Sequence, residues 1–224
     1  FGVVVTSGYH DDPTIERSGF IWILNVSDGS IIRTIELEDS GELGSALVVD
    51  LDSNSVADRI YVGDTEGKLW RIDLDNTDPA DWDAPPDLKP NANTIDPLFT
   101  EPDGRPITAQ LTSAFNENKE HMVFFGTGSF IRVGENIVDG GPPLERFYGI
   151  IDEGQPIVGL SELLAQSIEL EGSFGGPGGR RFRVVSDEQI EDTHKGWYLP
   201  LIWSASEGGS NSTTGERVVA RAIV

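Results

Sequence analysis

Oxygen-bearing side chains recur at alternate positions of one short acidic segment. Asp50, Asp52 and Asn54 occupy its positions one, three and five, and Asp58 occupies position nine. Calcium takes about six to eight oxygen ligands, and a loop that offers every second side chain plus the carbonyl of position seven can surround one ion. That carbonyl belongs to Val56. The spacing therefore predicts a Ca²⁺ site built from these five residues.

The segment departs in two places from the calcium loop that joins two helices. Position six, usually a glycine, is Ser55, and position twelve, usually a bidentate glutamate, is Tyr61. We therefore predict a bidentate role for Asp58, a left-handed Ser55 at some conformational cost, and weaker binding than in a cytosolic calcium hand. The alternative interpretation is a solvated turn rich in Asp and Asn.

The sequences on either side of the loop are typical of β-strands. ALVVD precedes the loop and RIYVGD follows it, and both are rich in β-branched or aromatic residues. The predicted metal loop therefore joins two strands, which must hold its two ends close together.

The strand pattern recurs along the chain. One set of runs is apolar and turns on glycine, and a second set places an aromatic residue in the middle of the following strand. The first set is GVVVTSG (2–8), RIYVGDT (59–65) and MVFFGTG (122–128), and the second is GFIWILN (19–25), GKLWRID (67–73) and ERFYGII (145–151). Repeats of about 40–50 residues that form several strands each are typical of β-propeller blades.

We therefore predict an all-β fold, a modified β-propeller with quinoprotein-like blades, in which residues 1–224 form part of a single domain. The predicted blades span 1–40, 44–104 and 105–216, and an inner strand of the next blade spans 217–224. About three blades cannot close a propeller, so the sequence is expected to be an excerpt of a longer one.

One short helix is predicted in this β-rich sequence. SELLAQSIEL (161–170) begins on a serine and places several leucines and an isoleucine near one face. The alternative is a strand interrupted by polar residues.

The composition of the chain excludes several classes of binding partner and of functional site. The formal net charge is −22, from 38 acidic against 16 basic residues, and this field repels nucleic acid and anionic lipid surfaces. The absence of cysteine excludes disulfides, thiolate zinc sites and cysteine nucleophiles. No apolar run approaches the ~20 residues of a membrane span, so we predict no direct insertion of this segment into a membrane.

Catalytic motifs are not found, and we predict that the chain is not an enzyme. His10, His121 and His194 lack the His-Glu-x-x-His spacing, and no Gly-x-Ser-x-Gly sequence occurs. Two alternatives remain open beside a calcium-binding propeller. One is a quinone-dependent dehydrogenase, and the other is a generic extracellular interaction propeller with structural calcium.

The dehydrogenase alternative would use tryptophans as cofactor-stacking residues, namely Trp22, Trp70, Trp197 and Trp203. The equivalent repeat positions of Trp22 and Trp70 favour packing between blades instead.

Several motifs occur in a specific succession. The sequence GDTEGKLWRIDL comes shortly after the Asp-x-Asp-x-Asn-x-x-x-Asp loop; ITAQLTSAF, VFFGTGSFI, RFYGIID, GWYLPL and GERVVARAIV follow in that order. With these motifs the chain resembles the C-terminal propeller domain of PilY-type adhesins of type IV pili. The similarity covers nearly all of 1–224 and is weakest in 75–104 and 153–190.

The resemblance implies a propeller at or near the pilus tip, outside the cell or at the outer membrane. It implies roles in pilus assembly, in surface adhesion and in calcium-dependent control of extension and retraction, and hence in twitching motility. The implied partners are type IV pilus subunits, the minor pilins, and host or abiotic surfaces. The implied calcium ligands are the same five residues, Asp50, Asp52, Asn54, Val56 and Asp58.

Overall fold

The computed structural model describes residues 1–10, 18–135, 143–175, 179–203, 212–213 and 216–220. Within these ranges the chain forms β-strands and two short 3₁₀ turns, Pro79–Asp81 and Pro86–Leu88, and no α-helix. The strands are β1 Gly2–Thr6, β2 Gly19–Asn25, β3 Ile31–Leu37, β4 Leu47–Val49, β5 Arg59–Gly63, β6 Lys68–Asp73, β7 Phe99–Thr100, β8 Thr112–Phe115, β9 His121–Gly126, β10 Arg146–Ile151, β11 Ile157–Val158, β12 Leu164–Ala165, β13 Ile168–Phe174, β14 Arg180–Val185, β15 Gly196–Pro200, β16 Ile202–Trp203 and β17 Ser212–Thr213.

Three sheets follow one another along the chain. The first has the order β1-β2-β3, the second β11-β7-β6-β5-β4, and the third β12-β15-β10-β9-β8. Neighbouring strands are antiparallel, except that β11 and β12 each add a short parallel strand to the outer edge of a sheet. Two ribbons, β13-β14 and β16-β17, complete the described strands. The mostly-β prediction is thus confirmed.

The hydrophobic core lies between these sheets, and the second sheet contributes the largest share of its fully buried large side chains. Trp70 and Tyr61 of the second sheet are almost completely buried. Phe99 of the same sheet packs against Phe125 and Tyr148 of the third sheet, with ring centroids 5.7 Å and 4.9 Å apart. Aromatic pairs at these separations add to the hydrophobic energy of burial. The second and third sheets are therefore joined by a continuous apolar contact.

The glycines that end β5 and β9 have a steric cause. A Cβ atom on Gly63 would lie 2.4 Å from Ile107, and one on Gly126 would lie 2.1 Å from Val218. At both places the incoming chain also donates a backbone hydrogen bond to the residue after the glycine, at 2.8 Å and 2.9 Å. Strands β5 and β9 therefore end on glycine because the incoming chain crosses at Gly63 and Gly126.

The helix predicted for 161–170 is wrong. This segment contains β12 and the start of β13, and its backbone bonds to neighbouring segments. The amide of Lys195 donates to Glu162, and that of Gln166 donates to Tyr198, both at 2.8 Å. Pairing with β15 overrides the weak helical pattern, as tertiary context commonly does.

The predicted inner strand at 217–224 is described only as far as residue 220. Val218 donates its backbone N–H to the Thr127 carbonyl at 2.9 Å, and no strand is assigned among residues 216–220. Residues 221–224 lie outside the described part of the chain.

Candidate metal centre

The acidic loop connects β4 to β5 and brings three carboxylates together. One oxygen from each of Asp50, Asp52 and Asp58 lies within 4.8 Å of the others. Asp50 and Asp52 are exposed, and Asp58 is half-buried. Among the described residues, this is the one place where three or more metal-ligating side chains converge. This triad could hold a metal ion.

Hydrogen bonds within the loop fix the first of these carboxylates. The backbone N–H groups of Ser55 and Asn54 donate to Asp50 at 2.7 Å and 3.2 Å. Desolvation acts to raise the pKa of Asp50, but these bonds, with others from Ser53 and Asp52, hold that pKa below its ordinary value. Asp50 therefore remains an anion with a defined orientation.

Asp58 is anchored by the surrounding sheet. Its Oδ2 accepts the Leu51 N–H at 2.6 Å. Its backbone N–H donates to Val49 at 2.8 Å, and its carbonyl accepts from Leu74 at 2.7 Å. Because its backbone bonds to the end of β4 and to the residue after β6, Asp58 is the triad member most directly coupled to the sheet.

The other two predicted ligands, Asn54 and Val56, lie in the middle of the loop. Asn54 donates its side-chain N–H to Asp52 at 2.9 Å and accepts the Val56 N–H at 2.7 Å. The φ angle of Ser55 is 70°, which confirms the left-handed conformation predicted for it, and that of Ser53 is 63°. These two left-handed residues bend the loop between Asp52 and Asp58.

The equivalent turn of the third sheet, between β8 and β9, closes without such a cluster. Asn116 and Glu120 bond to each other through two side-chain contacts, at 2.7 Å and 2.9 Å, and through one backbone contact at 3.0 Å. The acidic loop is thus a feature of the second sheet that the corresponding turn of the third sheet lacks.

The donor set fits a hard divalent cation. No ion pair among the described residues involves the three loop carboxylates, so their mutual repulsion is not offset by a basic side chain. Carboxylate, amide and carbonyl oxygens are also the ligands that Ca²⁺ prefers.

A buried ionic network begins where the loop ends. Asp152, at the end of β10, has a fully buried carboxylate. It lies 2.6 Å from Arg71 and 3.0 Å from Arg59 and also accepts the Tyr61 hydroxyl. Burial and the nearby Asp152 charge raise the pKa of Tyr61 well above its ordinary value. The network, absent from the sequence-based prediction, joins the second sheet to the third.

Comparison with known proteins identifies the family. The sequence profile of the PilY1 β-propeller domain matches residues 1–168. The chain belongs to this family. The resemblance to PilY-type proteins is therefore confirmed, and the matched profile describes a β-propeller domain.

Named relatives of this PilY1-family chain are much longer proteins. It is 28% identical to a type IV pilus biogenesis factor PilY1 homolog of Xylella fastidiosa, over 91% of the chain and 14% of the relative. It is 26% identical to the type IV pilus biogenesis factor PilY1 of Pseudomonas aeruginosa strain UCBPP-PA14, over 88% of the chain and 19% of the relative. The chain thus spans less than a fifth of these relatives.

A solved structure of the PilY1 family has the same fold. The crystal structure of the Pseudomonas aeruginosa PilY1 C-terminal domain matches with a TM-score of 0.74 and 22% sequence identity, covering 99% of this chain and 50% of that one. The prediction of a non-enzymatic chain agrees with the family, whose named members are pilus biogenesis factors. None of the helices among the described residues is long and apolar enough to cross a membrane.

The tryptophans do not form a common cofactor site in the described residues. Trp22 stacks on Phe20 in the first sheet, Trp70 donates to Asp64 inside the second, and Trp197 packs against Phe124 in the third. The side chain of Trp203 lies outside the described part. Each of these three tryptophans thus contacts residues of its own sheet, and the predicted packing between blades is not what these contacts show.

The three histidines are likewise separate. His10 lies 3.1 Å from Glu42, His194 accepts the Glu191 N–H at 3.1 Å, and His121 lies 3.3 Å from the Tyr61 hydroxyl. Within the described chain they do not converge on one site.

The burial of His121 leads us to predict that the stability of the fold depends on pH. Burial lowers its pKa to about 4, with Asp152 acting to raise it and Arg59 and Arg71 acting to lower it. The pKa of a histidine in an unfolded chain is about 6.5. The unfolded chain therefore binds more protons than the folded chain between pH 6.5 and pH 4. His121 should therefore destabilise the fold as pH falls through this range.

Urea unfolding from pH 4 to pH 8 measures this effect. His121→Gln should show a shallower loss of stability between pH 6.5 and pH 4 than the wild type, because it removes this titration. His194→Gln, changed outside the network, is the matched control. Equal pH dependence for His121→Gln and the wild type would contradict the prediction.

Proposed function

We propose that this chain is a calcium-binding part of the β-propeller of a type IV pilus biogenesis factor. The observation that carries the proposal is the convergence of Asp50, Asp52 and Asp58 on the loop between β4 and β5. The pilus part of the proposal is supported by the family, whose relatives are named type IV pilus biogenesis factors.

Five groups of this chain would hold the ion. Asp50, Asp52 and Asp58 supply carboxylates, Asn54 supplies its amide oxygen after releasing the Val56 N–H, and Val56 supplies its carbonyl. Bound calcium would cancel the repulsion among the carboxylates. Since the loop ends are the ends of β4 and β5, the carboxylates would then fix the geometry of this sheet edge.

We extend the proposal to the domain. The three sheets correspond to blades of a modified, quinoprotein-like propeller, with boundaries near 1–40, 44–104 and 105–216 and a further inner strand at 217–224. Two observations support this division: three successive sheets, and the repeated crossing of the incoming chain over Gly63 and Gly126.

We further propose an extracellular position at the pilus tip or the outer membrane. There the propeller would contact minor pilins and host or abiotic surfaces, and calcium would control assembly, adhesion and the extension and retraction of the pilus. Extracellular modules bind calcium at about 10⁻⁴–10⁻³ M, so external calcium could titrate the loop.

Calorimetry tests the binding. Titration of the purified chain with Ca²⁺ should show one site with a dissociation constant of about 10⁻⁴–10⁻³ M. Calcium should also raise the thermal midpoint, because a ligand that binds only the folded state stabilises it. No heat of binding and no thermal shift at millimolar calcium would refute the proposal.

The pilus role needs a cellular measurement. Bacteria that carry a loop variant should lose calcium-dependent twitching while the purified variant keeps the far-ultraviolet circular dichroism of the wild type. Unchanged twitching with lost calcium binding would instead support the alternative, a propeller whose calcium is purely structural.

A further inference from the structure

A cleft lies between the first sheet and the turns of the second. Its volume is about 1190 Å³, and it is lined by β2 and β3, by the connection after β3, by the β5-β6 turn and by Arg132, which follows β9. This volume exceeds the range of about 300–1,000 Å³ that is typical of small-molecule pockets, so an extended ligand has room. None of the five predicted calcium ligands lines the cleft.

Two aromatic rings of β2 line this cleft. Ile21 and Ile23 are buried in the core, so Phe20 and Trp22, which alternate with them, point to the other face of the sheet. The two rings stack with their centroids 5.6 Å apart and their planes at 11°. Both residues are half-buried and keep exposed surface. The pair offers an apolar surface and negative ring faces to a ligand.

A carboxylate stands beside the aromatic pair. Glu36 is directly opposite Phe20 in the β2-β3 ladder, where the Cβ atoms of facing residues lie about 4.5–5.5 Å apart on the same face. Glu36 is exposed and lines the same cleft. A ligand that covers the rings would therefore also reach this carboxylate.

The two permanently charged basic side chains of the cleft already have acidic partners. Lys68 Nζ lies 2.8 Å from Glu66, and Arg132 pairs with Glu42. All four residues line the cleft, so their charges offset one another there.

The charge that is left over in the cleft is negative. Within the part of the chain that the structure describes, no ion pair involves Glu36 or Asp39, the other two carboxylates of the lining. The net charge of −22 adds a field that attracts cations.

We propose that this cleft binds an organic cation, an ammonium or guanidinium group on an apolar stem. The charged group would lie between the rings of Phe20 and Trp22 and the carboxylate of Glu36, and the stem would pack on the rings. Two sources offer this chemistry, namely a lysine or arginine side chain of a partner protein and a free polyamine.

Isothermal titration of the chain at low salt and without calcium tests the proposal. The probes are the peptide acetyl-Gly-Arg-Gly-amide, the same peptide with neutral citrulline in place of arginine, and spermidine. The arginine peptide should bind at least about fivefold more tightly than the citrulline peptide, because only the former carries the charge. Added sodium chloride should weaken its binding.

The relative affinities of the two cationic probes distinguish the sources. Tighter binding of the peptide assigns the cleft to a basic side chain of a protein, and tighter binding of spermidine assigns it to a polyamine. No binding of either cation at millimolar concentration, or equal binding of the arginine and citrulline peptides, would overturn the inference and leave the calcium site untouched.

Three variants locate the binding. Glu36→Gln should weaken the binding of the tighter cation by about two- to fivefold, since it removes only the charge beside the rings. Trp22→Leu should weaken it to a similar extent, about two- to fivefold, by removing a ring. Glu38→Gln is the matched control, because Glu38 is equally exposed and does not line the cleft, and it should bind as the wild type does.

Circular dichroism checks that each variant is folded. If Trp22→Leu does not fold, the comparison of Glu36→Gln with Glu38→Gln decides, since both change exposed side chains. Equal affinities of these two variants would show that the cation does not lie beside Glu36 and would overturn the inference.

Discussion

Asp58→Ala is expected to lower the calcium affinity of the chain by about a hundredfold, because the charge and number of the ligands set the affinity of such loops. Asp58 supplies one of the three converging carboxylates, and its backbone bonds to Val49 of β4 and to Leu74, which follows β6. The substitution also removes the acceptor of the Leu51 N–H, which shapes the entry to the loop. Isothermal titration with Ca²⁺ measures the loss.

Two further variants control this experiment. Asp58→Asn keeps the shape of the side chain and one oxygen, so its affinity should lie between those of Asp58→Ala and the wild type. Asp75→Ala removes an exposed carboxylate beyond the end of β6 and should bind as the wild type does. Unchanged affinity in Asp58→Ala would refute the assignment of this ligand.

The second large effect is expected for Asp64→Ala, which should lower the free energy of unfolding by about 4 kcal/mol. The Asp64 carboxylate is fully buried and accepts four hydrogen bonds, each between 2.9 Å and 3.0 Å. Its donors are the backbone N–H groups of Gly41, Glu66 and Lys68 and the indole N–H of Trp70. Alanine would leave all four without this acceptor.

Denaturant unfolding of two matched variants completes this test. Asp64→Asn retains Oδ1, which accepts from Glu66 and Lys68, and should lose about half as much stability. Glu66→Ala changes an exposed residue of the same turn and should shift the stability by no more than about 0.5 kcal/mol. An Asp64→Ala variant as stable as Glu66→Ala would show that the buried carboxylate does not hold this turn.

The local features of the site could be predicted from the sequence because they depend on neighbours along the chain. The alternation of Asp50, Asp52 and Asn54 sets which side chains gather, and strands on both sides close the loop. The left-handed Ser55 followed from its place in the calcium-loop pattern, and it is confirmed. The convergence of the three carboxylates in the structure agrees with this spacing in the sequence.

The remote features could not be predicted in this way. Asp152 lies 93 residues from Arg59 and 81 from Arg71, and only the packing of the third sheet on the second brings them together. The helix predicted at 161–170 failed for a related reason, since the edge of β15 offered this segment backbone partners that its own spacing does not reveal. Helix propensity determines the structure of such a segment only where no neighbouring strand competes for its backbone hydrogen bonds.

The most direct test of the central claim is a crystal structure of the chain grown in millimolar calcium. We predict a single ion, identified by its anomalous signal, bound by Asp50, Asp52, Asn54, the Val56 carbonyl and Asp58 at about 2.3–2.6 Å. Loop oxygens that point into solvent, without ordered ion density between them, would contradict the account.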